Sequence, residues 1–367
     1  RMRPAPAYFS PDYTTARDRF RAAARSAGAE VHVLKLDARG PGGETLTIDI
    51  ARLGRPDAQR VLLHTSGLHG VEAFTGSAIQ LALLEAPPEP PEKCALILVH
   101  VLNPYGMAWL RRANESNVDL NRNFLDECDT WSGAPQIYGR IDAVLNPPSA
   151  PGRDFFYLKA LWQTVRHGFG PLKQAVAEGQ YEYPRGLFYG GKMLEQGPRL
   201  YIAWMTEHLE RARYVFGVDV HTGLGRWGTD TLFLEAGAGV TPKEALSAAL
   251  AHEVVDVAAD ARAAYRVRGG MGAMLPRVLR KAAVDFVLQE LGTYPPLAVF
   301  HALREENRWH HWGGGGIDHP VKRLLLERLC PADAVWRSRV LAHGLARARA
   351  AAAWAYAGVK PNIPPVE

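Results

Sequence analysis

His69 and Glu72 stand three residues apart in VLLHTSGLHGVEAF, just past an apolar run that breaks at Gly67. A histidine and a glutamate at that spacing can converge on one cation from a single turn, and zinc takes imidazole nitrogen and carboxylate oxygen alike. The pair on its own is a common accident. Further polar groups give it weight, because Asn121-Arg122, His221 and Glu290 also follow apolar, strand-like runs. His221, in FGVDVHTGLG, would complete the set of two histidines and one carboxylate that catalytic zinc uses with one position left open. Cobalt or nickel would also fit such a set.

The remaining candidates follow from side-chain chemistry. Glu290 lies in the apolar segment VDFVLQELGTYPP, where partial desolvation would raise its pKa into the range of a general base. Asn121 and Arg122, in NVDLNRNF, join an amide to a guanidinium fork and suit bidentate recognition of a carboxylate. Metal-bound histidines usually donate their second ring N–H, and Asp119 is a candidate partner for His69. One of Arg111 and Arg112 could stabilise an oxyanion over the metal.

The elements that must carry these groups alternate between strand and helix. Helix is expected at 13–27, then a hairpin of strands at 31–36 and 45–50, a strand at 61–64, a helix at 74–85 and a fully apolar strand at 95–102. Residues 103–148 read mostly as loop, 155–178 as a broken helix, 184–191 as a turn-rich loop and 199–211 as a helix. Strands follow at 214–220, 231–235 and 284–289, with helices at 242–261, 296–304, 321–329 and 332–356. This alternation predicts an α/β fold with a mixed, mainly parallel central sheet flanked by helices. In open sheets of that kind ligands bind beyond the carboxyl ends of the strands. His69, Asn103, His221 and Glu290 all fall there, which argues for one shared site.

Composition narrows the function classes. The chain has 367 residues and 47% hydrophobic content, compatible with one large domain. Lys plus Arg (43) nearly balances Asp plus Glu (38), and the arginines are scattered, so neither nucleic acid nor a membrane is an expected partner. No apolar stretch reaches the ~20 residues of a membrane span. No apolar leader is visible in the opening residues, so a cytoplasmic location is expected. Cys94, Cys128 and Cys330 form no C-x-x-C and no disulfide framework. The absence of G-x-S-x-G disfavours a serine hydrolase.

In order along the chain, the motifs resemble the zinc carboxypeptidase superfamily, the M14 peptidases. H-x-x-E at 69–72 resembles its paired ligand motif, N-P-Y-G at 103–106 its Asn-Pro-Asp-Gly, and D-L-N-R-N-F at 119–124 its carboxylate-binding motif. His221 and Glu290-Leu291 match its third ligand and general-base strand, and the likeness spans about residues 40–310. H-T-G-L-G and G-L-F-Y-G-G at 186–191 look more like the bacterial DUF2817 branch than like digestive carboxypeptidases. The stretch R-A-N-E-S-N-V-D-L-N-R is similar to the bacterial amidase branch, whose spacing favours Arg112 over Arg111 for the oxyanion.

The resemblance implies a single domain over 1–367, with an insertion at about 125–200 and a C-terminal helical extension at about 320–358. It implies one zinc per chain on His69, Glu72 and His221, with Glu290 and Arg112 catalytic, Asp119 behind a ligand, and Asn121, Arg122 and Arg111 toward substrate. The activity implied is metallocarboxypeptidase-like hydrolysis of an amide in a peptide or a small carboxylate-bearing substrate. An N-acyl amino-acid deacylase of aspartoacylase type, a cell-wall peptide amidase, or a binding protein on an inactive scaffold are the alternatives. Two features depart from the superfamily. Thr222-Gly223 replaces the usual serine after the third ligand, and the substrate-capping tyrosine has only Tyr265 and Tyr294 as candidates.

Overall fold

The computed structural model describes residues 3–235, 239–257 and 265–357. One α/β domain is built on an eight-stranded sheet in the order β1-β2-β4-β3-β5-β8-β6-β7. The strands are β1 (Glu30–Arg39), β2 (Thr45–Gly54), β3 (Arg60–Ser66), β4 (Cys94–His100), β5 (Tyr214–Gly223), β6 (Asp230–Leu234), β7 (Val254–Asp256) and β8 (Ala283–Gly292). Neighbours within β4-β3-β5-β8 run parallel, whereas β2 joins β4 and β6 joins β8 antiparallel. The central strands are buried along nearly their whole length. Their near-continuous Val/Ile/Leu/Phe character follows, because parallel strands covered on both faces have no polar side.

Sheet order fixes where a ligand can enter. From β3 the chain crosses to β4 on one side, and β5 then takes the other side of β3. The connections leaving the ends of β3 and β5 therefore diverge, opening a crevice at this topological switch point. Helix Ala73–Glu85 follows β3 and is buried from Ala73 to Leu84, so it carries no polar face. The long helix Ala334–Tyr356 packs against it and against β3 and β5. Gly344 makes this possible, since a Cβ there would lie 2.4 Å from Ile79 Cδ1.

Differences from the expected elements have local causes. The segment 103–148 contains helices Pro104–Ala108 and Gln136–Leu145, the second with Tyr138, Ile141 and Leu145 on one buried stripe. Helix Met271–Val278 was not expected. The long helix expected at 242–261 is instead a short one, Lys243–Leu250, ending at Ala251 with φ 46°. The β-branched Val254 and Val255 then pair with Leu232 and Phe233 of β6, and residues 258–261 lie outside the described ones. In the expected insertion, Gln136–Leu145 packs with helices Phe156–His167 and Phe169–Ala177 over the carboxyl end of the sheet. Among the described residues no helix is long and apolar enough to cross a membrane.

Candidate metal centre

Three side chains converge at the crevice. His69 follows β3 and caps the 3-10 turn Gly70–Glu72. That turn is tied down by Gly70 N–H to Arg112 O (3.2 Å) and Val71 N–H to Arg111 O (2.9 Å). Gly70 is required by contact, because a Cβ would fall 2.1 Å from the Gly106 carbonyl carbon. Asn103 caps the helix holding Gly106 and donates from Nδ2 to Arg112 O at 3.1 Å, so the N-P-Y-G segment braces the turn rather than facing a ligand. His221 lies inside β5, not past its end, because β5 and β8 stay paired through Gly223 and Gly292.

The donor atoms form a triangle. His69 Nδ1 and His221 Nδ1 are 3.1 Å apart, His69 Nδ1 is 3.2 Å from Glu72 Oε1, and His221 Nδ1 is 3.5 Å from Glu72 Oε2. Tetrahedral zinc with bonds of roughly 2.0–2.1 Å spaces its ligands by about 3.3 Å. The residues present therefore fit a divalent cation. Among the described residues this is the one group of three or more such side chains close enough to hold a metal ion.

Each imidazole turns its other nitrogen to an aspartate. His69 Nε2 lies 3.1 Å from Asp119 Oδ1, and His221 Nε2 hydrogen-bonds Asp219 Oδ2. With Nε2 donating to its aspartate, each ring would offer its Nδ1 lone pair to a metal in the triangle; Arg112 Nη2 also lies 2.8 Å from His69 Nε2. Asp219 is held in turn by Thr65 Oγ1 at 2.6 Å, and Asp119 accepts from the Asn121 amide at 3.0 Å and Arg112 Nε at 3.0 Å. Glu72 accepts the Thr222 amide at 2.9 Å, so the departure at Thr222 keeps a backbone contact to the carboxylate. Sequence reasoning missed Asp219. The signal was D-x-H on a strand, since residues two apart share a face.

Charge reinforces the geometry. Burial alone would raise Glu72, yet His69 and His221 hold it below the usual carboxylate range. Burial would likewise lower His221, but Asp219 and Glu72 push it well above the ordinary imidazole value. Asp119, despite burial, is held low by Arg112 and Arg122. Glu290, paired in register with His221, is raised to about 7 by burial and by Glu72. Its Oε1 accepts the Leu224 amide at 2.8 Å.

His69, Glu72, Arg112, Asn121, His221 and Glu290 all line one cavity of about 670 Å³. Arg112 reaches Glu72 Oε1 at 3.2 Å, which places it among the triangle's donors. Arg111 and Arg122 do not line the cavity. Arg111 points the other way, donating to Glu306 Oε1 (2.9 Å) and Asn117 Oδ1 (2.8 Å) in a buried network with Lys322. Arg122 is fully buried and spends its guanidinium on the carbonyls of Ala177 (Nε, 3.1 Å) and Asn121 (Nη1, 3.0 Å). The carboxylate fork expected of it would cost those bonds. Asn121 Oδ1 accepts the Met271 amide at 3.2 Å. Tyr265 lines the cavity, whereas Tyr294 donates to Glu327 at 2.6 Å and lies outside it. Glu235, unmarked by any motif, also lines the cavity and is raised by burial.

The family described as "Protein of unknown function (DUF2817)" has a model that matches residues 9–343, and the chain belongs to that family. No curated protein matches the chain by sequence. Among solved structures, carboxypeptidase A from Helicoverpa armigera is similar at TM-score 0.46 and 16% identity, over 86% of this chain and 73% of that one. The murein-tripeptide amidase from Escherichia coli O157 is similar at TM-score 0.41 and 17% identity, over 84% of this chain and 97% of that one. Neither likeness assigns an activity to this chain.

Proposed function

We propose that this member of the DUF2817 family is a zinc-dependent hydrolase of amide bonds, with His69, Glu72 and His221 as the metal ligands. The observation that supports this most strongly is the triangle of Nδ1, Nδ1 and carboxylate donors, with each histidine's Nε2 turned to a buried aspartate. Bound zinc supplies two things in such a site, an acidified water and a polarised carbonyl.

This chain's own residues do the rest. Glu290 accepts the proton of the attacking water, and its raised pKa lets it return that proton to the leaving nitrogen. The Leu224 amide holds the carboxylate in place for both transfers. Arg112 stays charged, since Asp119 and Glu72 more than offset the effect of burial, and its N–H groups receive the negative charge growing on the carbonyl oxygen. Asp119 aims that guanidinium and His69 together. Asn121 also lines the cavity and orients substrate through its Nδ2.

Elemental analysis of purified wild type and His69→Ala tests the reading. About one zinc per chain in the wild type, lost in the variant, is expected of a three-ligand site. Absence of metal after incubation with zinc would overturn it. Hydrolysis of a panel of N-acyl amino acids and short peptides, abolished in Glu290→Gln without loss of zinc, tests the chemistry.

A further inference from the structure

The cavity in front of the triangle has a division of character. Beyond the metal-centre groups its walls are mostly hydrocarbon. The helices at 136–177 contribute Leu145, Phe156, Ala160, Leu172 and Val176, and helix Pro296–Trp312, packed against them, adds further apolar side chains. A wall made of helices offers a ligand few backbone hydrogen bonds, because helical N–H and C=O groups are already paired. Thr164 on this wall donates to Ala160 O, which leaves Gln163 and Lys173 as the polar side chains that this wall turns to the cavity. A peptide main chain laid along such a wall would lose hydrogen bonds to water without replacement, whereas a hydrocarbon chain would lose none.

Two cations also line the cavity, Lys173 and Arg266. Neither forms an ion pair with a described residue, and Lys173 Nζ sits 5.7 Å from the Tyr265 ring centroid. The other arginines expected near substrate are committed elsewhere, Arg111 to Glu306 and Arg122 to carbonyls. Among the described residues, Lys173 and Arg266 are therefore the positive groups lining the cavity without an ion-pair partner, available to an anionic end.

We infer that the cavity takes an amphiphilic amide, an N-acyl amino acid with a long hydrocarbon acyl group under the 136–177 helices and its carboxylate on Lys173 and Arg266. This rests on the hydrolase reading for its chemistry. Water adds its OH to the acyl carbon, the C–N bond breaks, and the proton passes to nitrogen, giving a fatty acid and a free amino acid. Residues 136–177 thereby choose the substrate while the carboxyl ends of the central strands carry the reaction.

The test is a series of N-acylglycines from acetyl to dodecanoyl, followed by kcat/KM on the zinc-loaded enzyme and by calorimetric binding to the metal-free protein. Each added methylene should strengthen both by about three- to four-fold until the cavity is full. Ala160→Trp should cut the dodecanoyl values at least about ten-fold more than the acetyl values, since its ring takes up cavity space. Lys173→Gln should raise KM for dodecanoylglycine and leave a carboxylate-free dodecanoyl amide unaffected. Circular dichroism and zinc content show whether each variant is folded. Rates and affinities that stay flat along the series overturn the inference, including where short peptides are cleaved well and the hydrolase reading survives. Binding that climbs with chain length without cleavage at any length supports the ligand class and overturns the hydrolase reading.

Discussion

Replacing Glu290 by glutamine should stabilise the metal-free protein in neutral solution while abolishing turnover. The carboxyl is buried beside Glu72, and its pKa is raised from 4.5 to about 7. A group whose folded pKa exceeds its unfolded one gives stability that is complete below the unfolded value and is lost as pH rises through the folded value. In the metal-free wild type that loss runs from about pH 4.5 to 7. At roughly 1.4 kcal/mol per pH unit the whole shift is worth about 3 kcal/mol, most of it between pH 5 and 8. Glutamine keeps the carbonyl that accepts the Leu224 amide and cannot ionise. The variant should therefore melt progressively higher than wild type as pH rises, by about 4 °C at pH 8 at roughly 1.3 °C per kcal/mol for a chain of this size. Scanning calorimetry of chelator-treated protein at several pH values reads this directly. Added zinc should shrink the difference, because the cation stabilises the nearby carboxylate. Melting curves that stay parallel across the range would show that Glu290 is not held protonated by its surroundings, and the general-base argument would lose its physical basis.

Asp219→Asn should weaken zinc binding by about 10- to 100-fold, because Asp219 fixes the ring of His221 from behind; competition with a chromophoric chelator measures it. Zinc at about a thousand times its dissociation constant should add about 4 kcal/mol to unfolding stability, lost in His221→Ala, as denaturant titration would show. Arg111→Met should lower stability by about 3 kcal/mol, since Glu306 would lose one of the two ion-pair partners it has among the described residues and keep Lys322, with zinc content and kcat held. Arg112→Met should instead reduce kcat by about 100-fold or more, as loss of an oxyanion donor does.

Much of the sheet could be read from its pattern. A parallel strand buried on both faces must be apolar throughout, and segments such as ALILVHV admit little else. His69 and Glu72 were visible because one turn of chain brings them together, so their spacing encodes their geometry. Asp219 was legible in principle from D-x-H on a strand. The helices at 136–145 and 271–278 were obscured by surrounding glycine and proline, and 254–256 by an alanine-rich approach that mimics a longer helix. There, pairing with β6 outweighs local propensity.

The arginines show where spacing stops being informative. Arg111 and Arg112 are adjacent in an irregular segment that follows Leu110 at φ 50°, so no helical or strand period says which one faces the metal. Tertiary bonds decide. The Arg111 amide is held to Gly106 O at 2.7 Å, and the carbonyls of Arg111 and Arg112 are both bound by the Gly70–Glu72 turn. With the backbone locked on that turn, consecutive side chains leave in different directions, one toward Glu306 and the other toward Glu72 and Asp119. Arg122 is the harder case, because guanidinium beside amide is good chemistry for a carboxylate and equally good for a carbonyl. What separates the two is the Ala177 carbonyl, brought in by helix Phe169–Ala177 from over fifty residues away. The same helix that engages Arg122 also builds part of the apolar wall of the cavity. The redirected Arg122 and the inferred substrate preference would therefore have one structural origin, the helices at 136–177.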